Sequence, residues 1–275
     1  MNNQTRATLK KEFLAFRRTF KIFILAAVII GWSILSPLLI VGLGALVDSM
    51  SDIYAQMGLD VSELTEEITS TASIGVTSQV SDIASIGLIV YLLVIASFAG
   101  GEQRKRSIII PQSAGLRSFS YITPKFIIYP LSIFILSIIG TLAASAVSIV
   151  AFSYNDLVLT NILKAGLLLG VYNMFYVCIH LALGTGTGKP WISSAVCIAA
   201  ILLLPGIFTF ANAAPAFNPF TINTAAASAV FGNVVVADIV TGIVVAFVLM
   251  LILYGIAIFV QNAKKIDNSG NEILI

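Results

Sequence analysis

The sequence predicts an all-α integral membrane protein. It has six transmembrane helices, an N-terminal interfacial amphipathic helix, re-entrant outer segments between the last two spans, and both termini cytoplasmic. Three observations predict this class. Mean hydropathy is +1.00, with 58% apolar and 10% charged residues, far outside the range of soluble globular chains. Six apolar runs approach or exceed the roughly 20 residues that a spanning helix needs. The charged residues sort to alternate sides of those runs.

The runs cover 22–47, 83–100, 126–152, 162–183, 191–211 and 239–260, in a single domain of 1–275. The outer loop 48–82 carries Asp48, Asp52, Asp60, Glu63, Glu66, Glu67 and Asp82, with no Lys or Arg. The inner loop 101–125 carries Arg104, Lys105, Arg106, Arg117 and Lys125 against Glu102 alone. With both termini inside, 14 of 15 basic residues fall on the inner side and only Lys164 outside, and nine of 13 acids fall outside. Lys and Arg accumulate in cytoplasmic loops, so the reverse orientation is disfavoured. The net charge of +2 therefore sums a basic inner face and an acidic outer one. Basic residues that flank spans read as anchors to anionic lipid and as topology signals, not as a nucleic-acid surface.

The first apolar run is longer than the core of a cleaved signal peptide. Cys178 and Cys197 both fall inside spans, where a thiol behaves as a small apolar group.

Before the first span, Leu9, Phe13, Phe16 and Phe20 recur at helical spacing, with Arg6, Lys10, Lys11, Arg17 and Arg18 on the other face. Such a helix lies in the membrane interface, aromatic face down. In the outer loop, 50–57 and 61–68 each suit a short helix. Ser62 with Thr65, Glu66 and Glu67 has the character of a helix start. The loop's acids lack the spacing and central Gly of an EF-hand and read as a solvated face. The uncharged stretch 212–237 holds Pro215, Asn218, Pro219, Asn223 and Asn233. If it crossed the membrane, Lys264 and Lys265 would lie outside, against the charge bias. It reads as segments dipping in from the outer side, covered by protein.

Two spans carry seams. Gly166, Gly170, Asn173, Val177, His180 and Gly184 share one face of the fourth, and Ser137, Thr141, Ser145 and Ser148 do so in the third. Small faces allow close helix approach, within the chain or in a dimer. His180, with Asn173 and Tyr176 on the same side, is the one ionisable group deep in a span. Intramembrane ionisable groups are candidates for a translocation path, and the competing reading is a neutral His in a helix contact. Lys164 sits near the outer end of the fourth span, where it snorkels outward or pairs with Asp156.

Catalytic motifs are missing from the sequence. A single His and two separated Cys exclude the common zinc sets. The run Gly184-Thr185-Gly186-Thr187-Gly188-Lys189-Pro190 fails as a P-loop. Leu183 stands where the first Gly is required, and Pro190 where Ser or Thr must follow the Lys. It reads as a tight inner turn. The chain itself is thus expected to be no enzyme and to hold no cofactor, metal or nucleotide.

The inner loop is the most specific segment. Glu102 leaves the second span. A basic cluster follows, then Ile108, Ile109 and Ile110, Pro111, the apolar residues Leu116, Phe119, Tyr121 and Ile122, and Lys125 at the mouth of the third span. Three consecutive Ile on an inner surface must bury against lipid, chain or partner. In order and spacing this segment resembles the permease subunits of ABC transporters of the ABC-2 (exporter) class. That class carries a Glu after the second span, a short aliphatic run, a Pro, and a Lys before the third span. The six-span layout and Asn218-Pro219 agree with it. Arg106-Ser107 departs from the Gly-Thr that the class often has after the Glu.

The resemblance implies a mechanism. Two permease subunits, identical or different, associate, and two cytoplasmic ATPase subunits carrying ATP and Mg dock from below. Glu102, Ile108–Ile110, Pro111, Leu116, Phe119 and Lys125 belong to the coupling loop. The outer segments then form an exit gate, in the plasma (inner) membrane of a prokaryote. From the residues alone, a secondary transporter or channel, or a non-transporting assembly subunit, stays open beside this reading. The few midplane charges count against an ion-coupled carrier.

Overall fold

The structure, a computed structural model, describes residues 3–51, 53, 71–105, 109–152, 154–210, 218–233, 236–266 and 272–274. Most of the outer loop lies outside the described residues, including Asp52, Asp60, Glu63, Glu66, Glu67 and the segment 61–68. So do Arg106, Ser107, Ile108 and the stretch 211–217.

The chain is helical. Helix α1 (Asn3–Arg18) turns through Phe20 into α2 (Lys21–Ser49). The second long helix begins at Ala72, earlier than its apolar run. It comprises α3 (Ala72–Asp82), a π-turn (Ile83–Gly87) and α4 (Leu88–Ala99), followed by the short α5 (Gly101–Arg104). After α6 (Ile109–Ser113) come α7 (Ser118–Ala151), α8 (Leu159–Thr187) and α9 (Pro190–Phe210). A 3-10 turn (Pro219–Thr221) leads into α10 (Ile222–Val230), and α11 (Val236–Ala263) completes the bundle. Strands β1 (Lys264–Ile266) and β2 (Glu272–Leu274) close it as a small antiparallel ribbon with Lys265 opposite Ile273.

Five described helices are long and apolar enough to cross a membrane: Lys21–Ser49, Ala72–Gln103, Ser118–Ala151, Leu159–Thr187 and Ile239–Ala263. α9, at the fifth predicted span, is apolar but shorter over its described side chains. Leu251 and Phe259 on α11 and Leu39 on α2 are among the many large apolar side chains exposed on the outside of the bundle. A continuous apolar surface of this kind suits hydrocarbon and not water.

α8 is the most buried of the five and forms the centre, packed by α4, α7, α9, α10 and α11. Leu169, Tyr172, Phe175, Tyr176 and Leu181 on it are all buried. Gly166, Gly170 and Asn173 of its seam face α7, whereas Ser148 at the end of the α7 seam lies against Gly75 of α3. A Cβ on Gly170 would stand 2.6 Å from the Phe134 ring, and one on Gly166 3.3 Å from the Ile138 Cα. Glycine at these positions is what lets the two helices approach. Asn173 Nδ2 donates to Ser137 Oγ at 2.9 Å across the contact.

The two ends of the bundle are built differently. At one end, Ala72 N donates to Tyr154 O (3.0 Å), and Ser73 N to Asp156 Oδ1 (2.9 Å). Asp156 thus satisfies an amide at the start of α3, where the helix dipole favours an anion. α10 caps this end, burying Ile222, Ala226, Ala229 and Val230 against the bundle. Its nine residues are far fewer than the roughly 20 needed to cross a bilayer. Asn218 Oδ1 accepts from Phe220 N at 3.0 Å and starts the segment.

At the opposite end, α4 and α8 meet backbone to backbone. A Cβ on Gly100 would lie 2.6 Å from Gly184 O. Gly188, at φ 62°, ends α8 by returning its N–H to Gly184 O (2.9 Å), a left-handed cap that glycine adopts without strain. The predicted tight turn at 184–190 is therefore mostly the last turn of a helix.

Candidate functional site

A chain of four charges links α1, α5 and α7. Along α1, the side buried against the bundle is Thr5, Thr8, Glu12 and Phe16. This differs from the predicted aromatic face, because Phe13 and Phe20 are 50% and 68% exposed. The deciding group is Glu12: a buried carboxylate needs a cation, and α1 turns it towards one.

That cation is Lys125, the residue after Pro124, about two turns into α7 and only 1% exposed. Three oxygens surround its Nζ. Phe98 O lies at 3.1 Å, Glu102 Oε2 at 3.0 Å and Glu12 Oε1 at 3.2 Å. The first two accept hydrogen bonds, and the Glu12 contact is an ion pair off the hydrogen-bonding direction. Glu102 Oε1 takes a further bond from Lys11 Nζ at 2.6 Å. Glu12 Oε2 accepts from the Tyr129 hydroxyl at 2.9 Å. The sequence of charges is Lys11, Glu102, Lys125, Glu12, running from an exposed ammonium to a buried carboxylate and summing to zero. Aromatic rings close the inner side. Phe98 stacks on Tyr129 with centroids 5.0 Å apart, and Phe16 meets Tyr129 edge-on at 5.3 Å.

The cluster ties three pieces together: helix α1, the segment after α4, and α7. Beside it lies a cleft of about 340 Å³, lined by Ala7, Thr8, Lys11, Glu102, Pro111, Leu116 and Tyr121. Gly115, at φ 88°, forms the turn that brings Leu116 back, with Leu116 N donating to Pro111 O at 2.9 Å. Gln4 Nε2 reaches Gly115 O at 3.2 Å, so α1 also holds this turn. Leu116 packs against the small core of Tyr121, Ile122 and Ala257. Phe119 is 51% exposed, its ring edge towards Tyr254. Ile109 and Ile110 belong to α6, and their side chains, like Ile108, lie outside the described residues.

A second group joins the same end. Gln103 Nε2 donates to Gln261 Oε1 at 2.6 Å. Lys264 Nζ donates to Gln103 Oε1 (3.0 Å) and to Thr185 O (2.9 Å). The ends of α5, α8 and α11 are thereby locked to the residue next to Glu102.

Of the predicted residues, Glu102, Pro111, Leu116 and Lys125 come together around the cleft and its ion pairs. Asn173, Tyr176 and His180 do not converge on one path. Asn173 faces Ser137 of α7 and Tyr176 approaches Ala200 of α9. His180 is fully buried with the Ser193 backbone beside its ring, but neither ring nitrogen makes a hydrogen bond of ordinary geometry among the described residues. Lys164 is exposed, and Asp156 is engaged with α3.

Sequence reasoning missed Glu12, Gln103, Gln261 and the role of Lys264. The signal for Glu12 was present. It is the single acid in a helix with five basic residues, and it shares a face with Thr5, Thr8 and Phe16.

No family model matches this chain, and no curated protein matches it significantly. The cluster is therefore interpreted on its own geometry. It has no nucleophile, metal-ligand set or open acid–base pair, and its charges neutralise one another. Such an arrangement fixes the relative positions of helices at this end of the bundle.

Proposed function

We propose that this chain is the membrane-spanning subunit of an ATP-driven exporter of the ABC-2 class, working with a separate cytoplasmic ATPase. The observation that carries the reading is the Glu102–Lys125 ion pair at 3.0 Å. These two residues bracket the segment that resembles the class's coupling loop. An element that transmits force from a docked partner has to move as a body with the helices it drives. A loop pinned at both ends to α1 and α7 by buried charges meets that requirement, whereas a solvated loop would absorb the push.

In this reading α9 is a sixth crossing. Its 21 residues rise about 32 Å at 1.5 Å each, enough for the hydrocarbon core. The end bearing Glu102, Lys125 and Lys264 faces the cytoplasm, with both termini, in the plasma membrane of a prokaryote. α10 belongs to an outer gate. Two permease subunits, identical or different, pair with two ATPase subunits that carry ATP and Mg. Pro111, Leu116 and Phe119, with the 108–110 run, form the docking surface. ATP shifts the inward/outward equilibrium through its different affinity for the two states of the ATPase pair, and the pinned loop passes that difference to α7.

The test is co-purification of the tagged chain from its native membrane in mild detergent. A stoichiometric ATPase with Walker motifs, giving a complex of two permeases and two ATPases, is the expected result. Its absence even after gentle crosslinking would overturn the reading and favour a carrier, channel or scaffold.

A further inference from the structure

A groove of about 540 Å³ runs between α1, the start of α2 and α7. Leu9 and Phe13 line one wall and Leu131 and Ile135 the other, while Arg6 and Lys10 stand at its lip. Leu131 and Ile135 are each 47% exposed, so no described residue covers them fully. The one hydroxyl on the lining, Ser132, is already bonded to Tyr129 O and Tyr91, and the interior offers a ligand only apolar surface. From Ile127 to Leu136, α7 rises about 14 Å, the depth of one bilayer leaflet's hydrocarbon.

We infer that this groove binds one anionic phospholipid, with its phosphate against Arg6 and Lys10 and an acyl chain along Leu131 and Ile135. Two arguments select this occupant. The lip is cationic and the interior apolar, the chemistry of an anionic headgroup above a hydrocarbon chain. A second copy of the chain fits poorly, because a two-fold contact over this patch would bring together the Arg6 and Lys10 of both copies with no acid on the lining to pair them. The inference needs the bundle to sit in a bilayer and does not depend on the transport reading. Because α1 carries Glu12, a lipid wedged under α1 also bears on the ion-pair cluster.

Native mass spectrometry of the purified chain with added dioleoyl phosphatidylglycerol or dioleoyl phosphatidylcholine tests this. One phosphatidylglycerol per chain is expected, retained roughly tenfold or more over phosphatidylcholine, since each basic residue near the headgroup contributes about fivefold. Arg6→Gln with Lys10→Gln should abolish the preference, and the exchange Arg6→Lys with Lys10→Arg should keep it. Leu131→Trp, which fills the groove, should lower retention of both lipids. Equal retention of the two lipids by the unaltered chain overturns the proposal. So does an unchanged preference in the double Gln variant, or full retention in Leu131→Trp. Efficient disulfide crosslinking of two Leu131→Cys chains would assign the groove to a second copy and also overturn it. Each variant's elution on size exclusion, compared with the unaltered chain, separates loss of lipid from loss of fold.

Discussion

Glu12, the only acid of α1, lies 3.2 Å from the buried ammonium of Lys125 on α7. Neither charge tolerates burial alone. Removing one member of a buried pair leaves the other without compensation. The pair therefore decides how α1 sits: the helix is rolled so that Glu12 faces inward, which leaves Phe13 half-exposed.

Glu12→Gln should lower thermal stability in detergent by about 2–3 kcal/mol, somewhat below the roughly 3–5 kcal/mol for a fully orphaned partner. Glu102 still faces Lys125 in that variant. Combining Glu12→Gln with Lys125→Met should cost less than the sum of the two single changes, because the residues share one interaction. Strict additivity in a double-mutant cycle would show that the pair does not hold α1.

Adjacent glycines at the end of the second span should behave in opposite ways. A Cβ on Gly100 would lie 2.6 Å from Gly184 O, and a backbone carbonyl has nowhere to go. Gly100→Ala should destabilise by about 1–3 kcal/mol, as overpacking does. At Gly101 the nearest atom to a new Cβ is Ser97 Cβ, at an ordinary 3.6 Å. Gly101→Ala should be neutral or gain up to about 1 kcal/mol of helix propensity. Thermal melts of the two variants side by side decide this, and equal behaviour would contradict the close approach of α4 and α8.

The α7–α8 seam offers a rescue test. Gly170→Ala drives a methyl into the Phe134 ring and should cost about 1–3 kcal/mol. The obstacle is a side chain, so Phe134→Leu in the same chain should recover most of the loss. Failure of Phe134→Leu to rescue would place the strain elsewhere.

His180 is buried near the Ser193 backbone, without a well-formed hydrogen bond to either nitrogen among the described residues. An unsatisfied polar ring of this kind costs free energy that an apolar isostere does not. His180→Leu should leave stability unchanged or raise it by about 1 kcal/mol. A transport assay on the same variant is expected to be unaffected. Lost transport at unchanged stability would assign His180 to a path.

At the cleft, Phe119 and Leu116 separate docking from folding. Phe119 is 51% exposed, so Phe119→Asp should insert and melt like the unaltered chain. Under the exporter reading, transport should fall about tenfold or more, the effect of losing roughly 1.4 kcal/mol of docking. Leu116 packs on the small core of Tyr121, Ile122 and Ala257. Leu116→Asp should therefore lose stability and transport together. Full transport in Phe119→Asp would remove this face from the coupling surface.

How far the sequence speaks for itself depends on the range of the physics. The long helices were legible because a run of some 20 apolar residues is a local property, and backbone groups in hydrocarbon must bond within the segment. Gly166 and Gly170 announced a close contact because their spacing puts them on one helix face. Glu102 and Lys125 stood out only as the two ends of a loop that resembles the class's coupling loop, and nothing local showed that they pair with each other. The sequence by itself determined a helical, membrane-type chain, its small-residue seams and its lack of a recognisable catalytic motif. Only the tertiary structure decided which seam meets which, that Asp156 caps α3, and that Glu12 is the second counter-ion of Lys125. The reason is the same in each case. Burial requires every charge and polar group to find a partner, but which partner is set by helices brought together from distant parts of the chain.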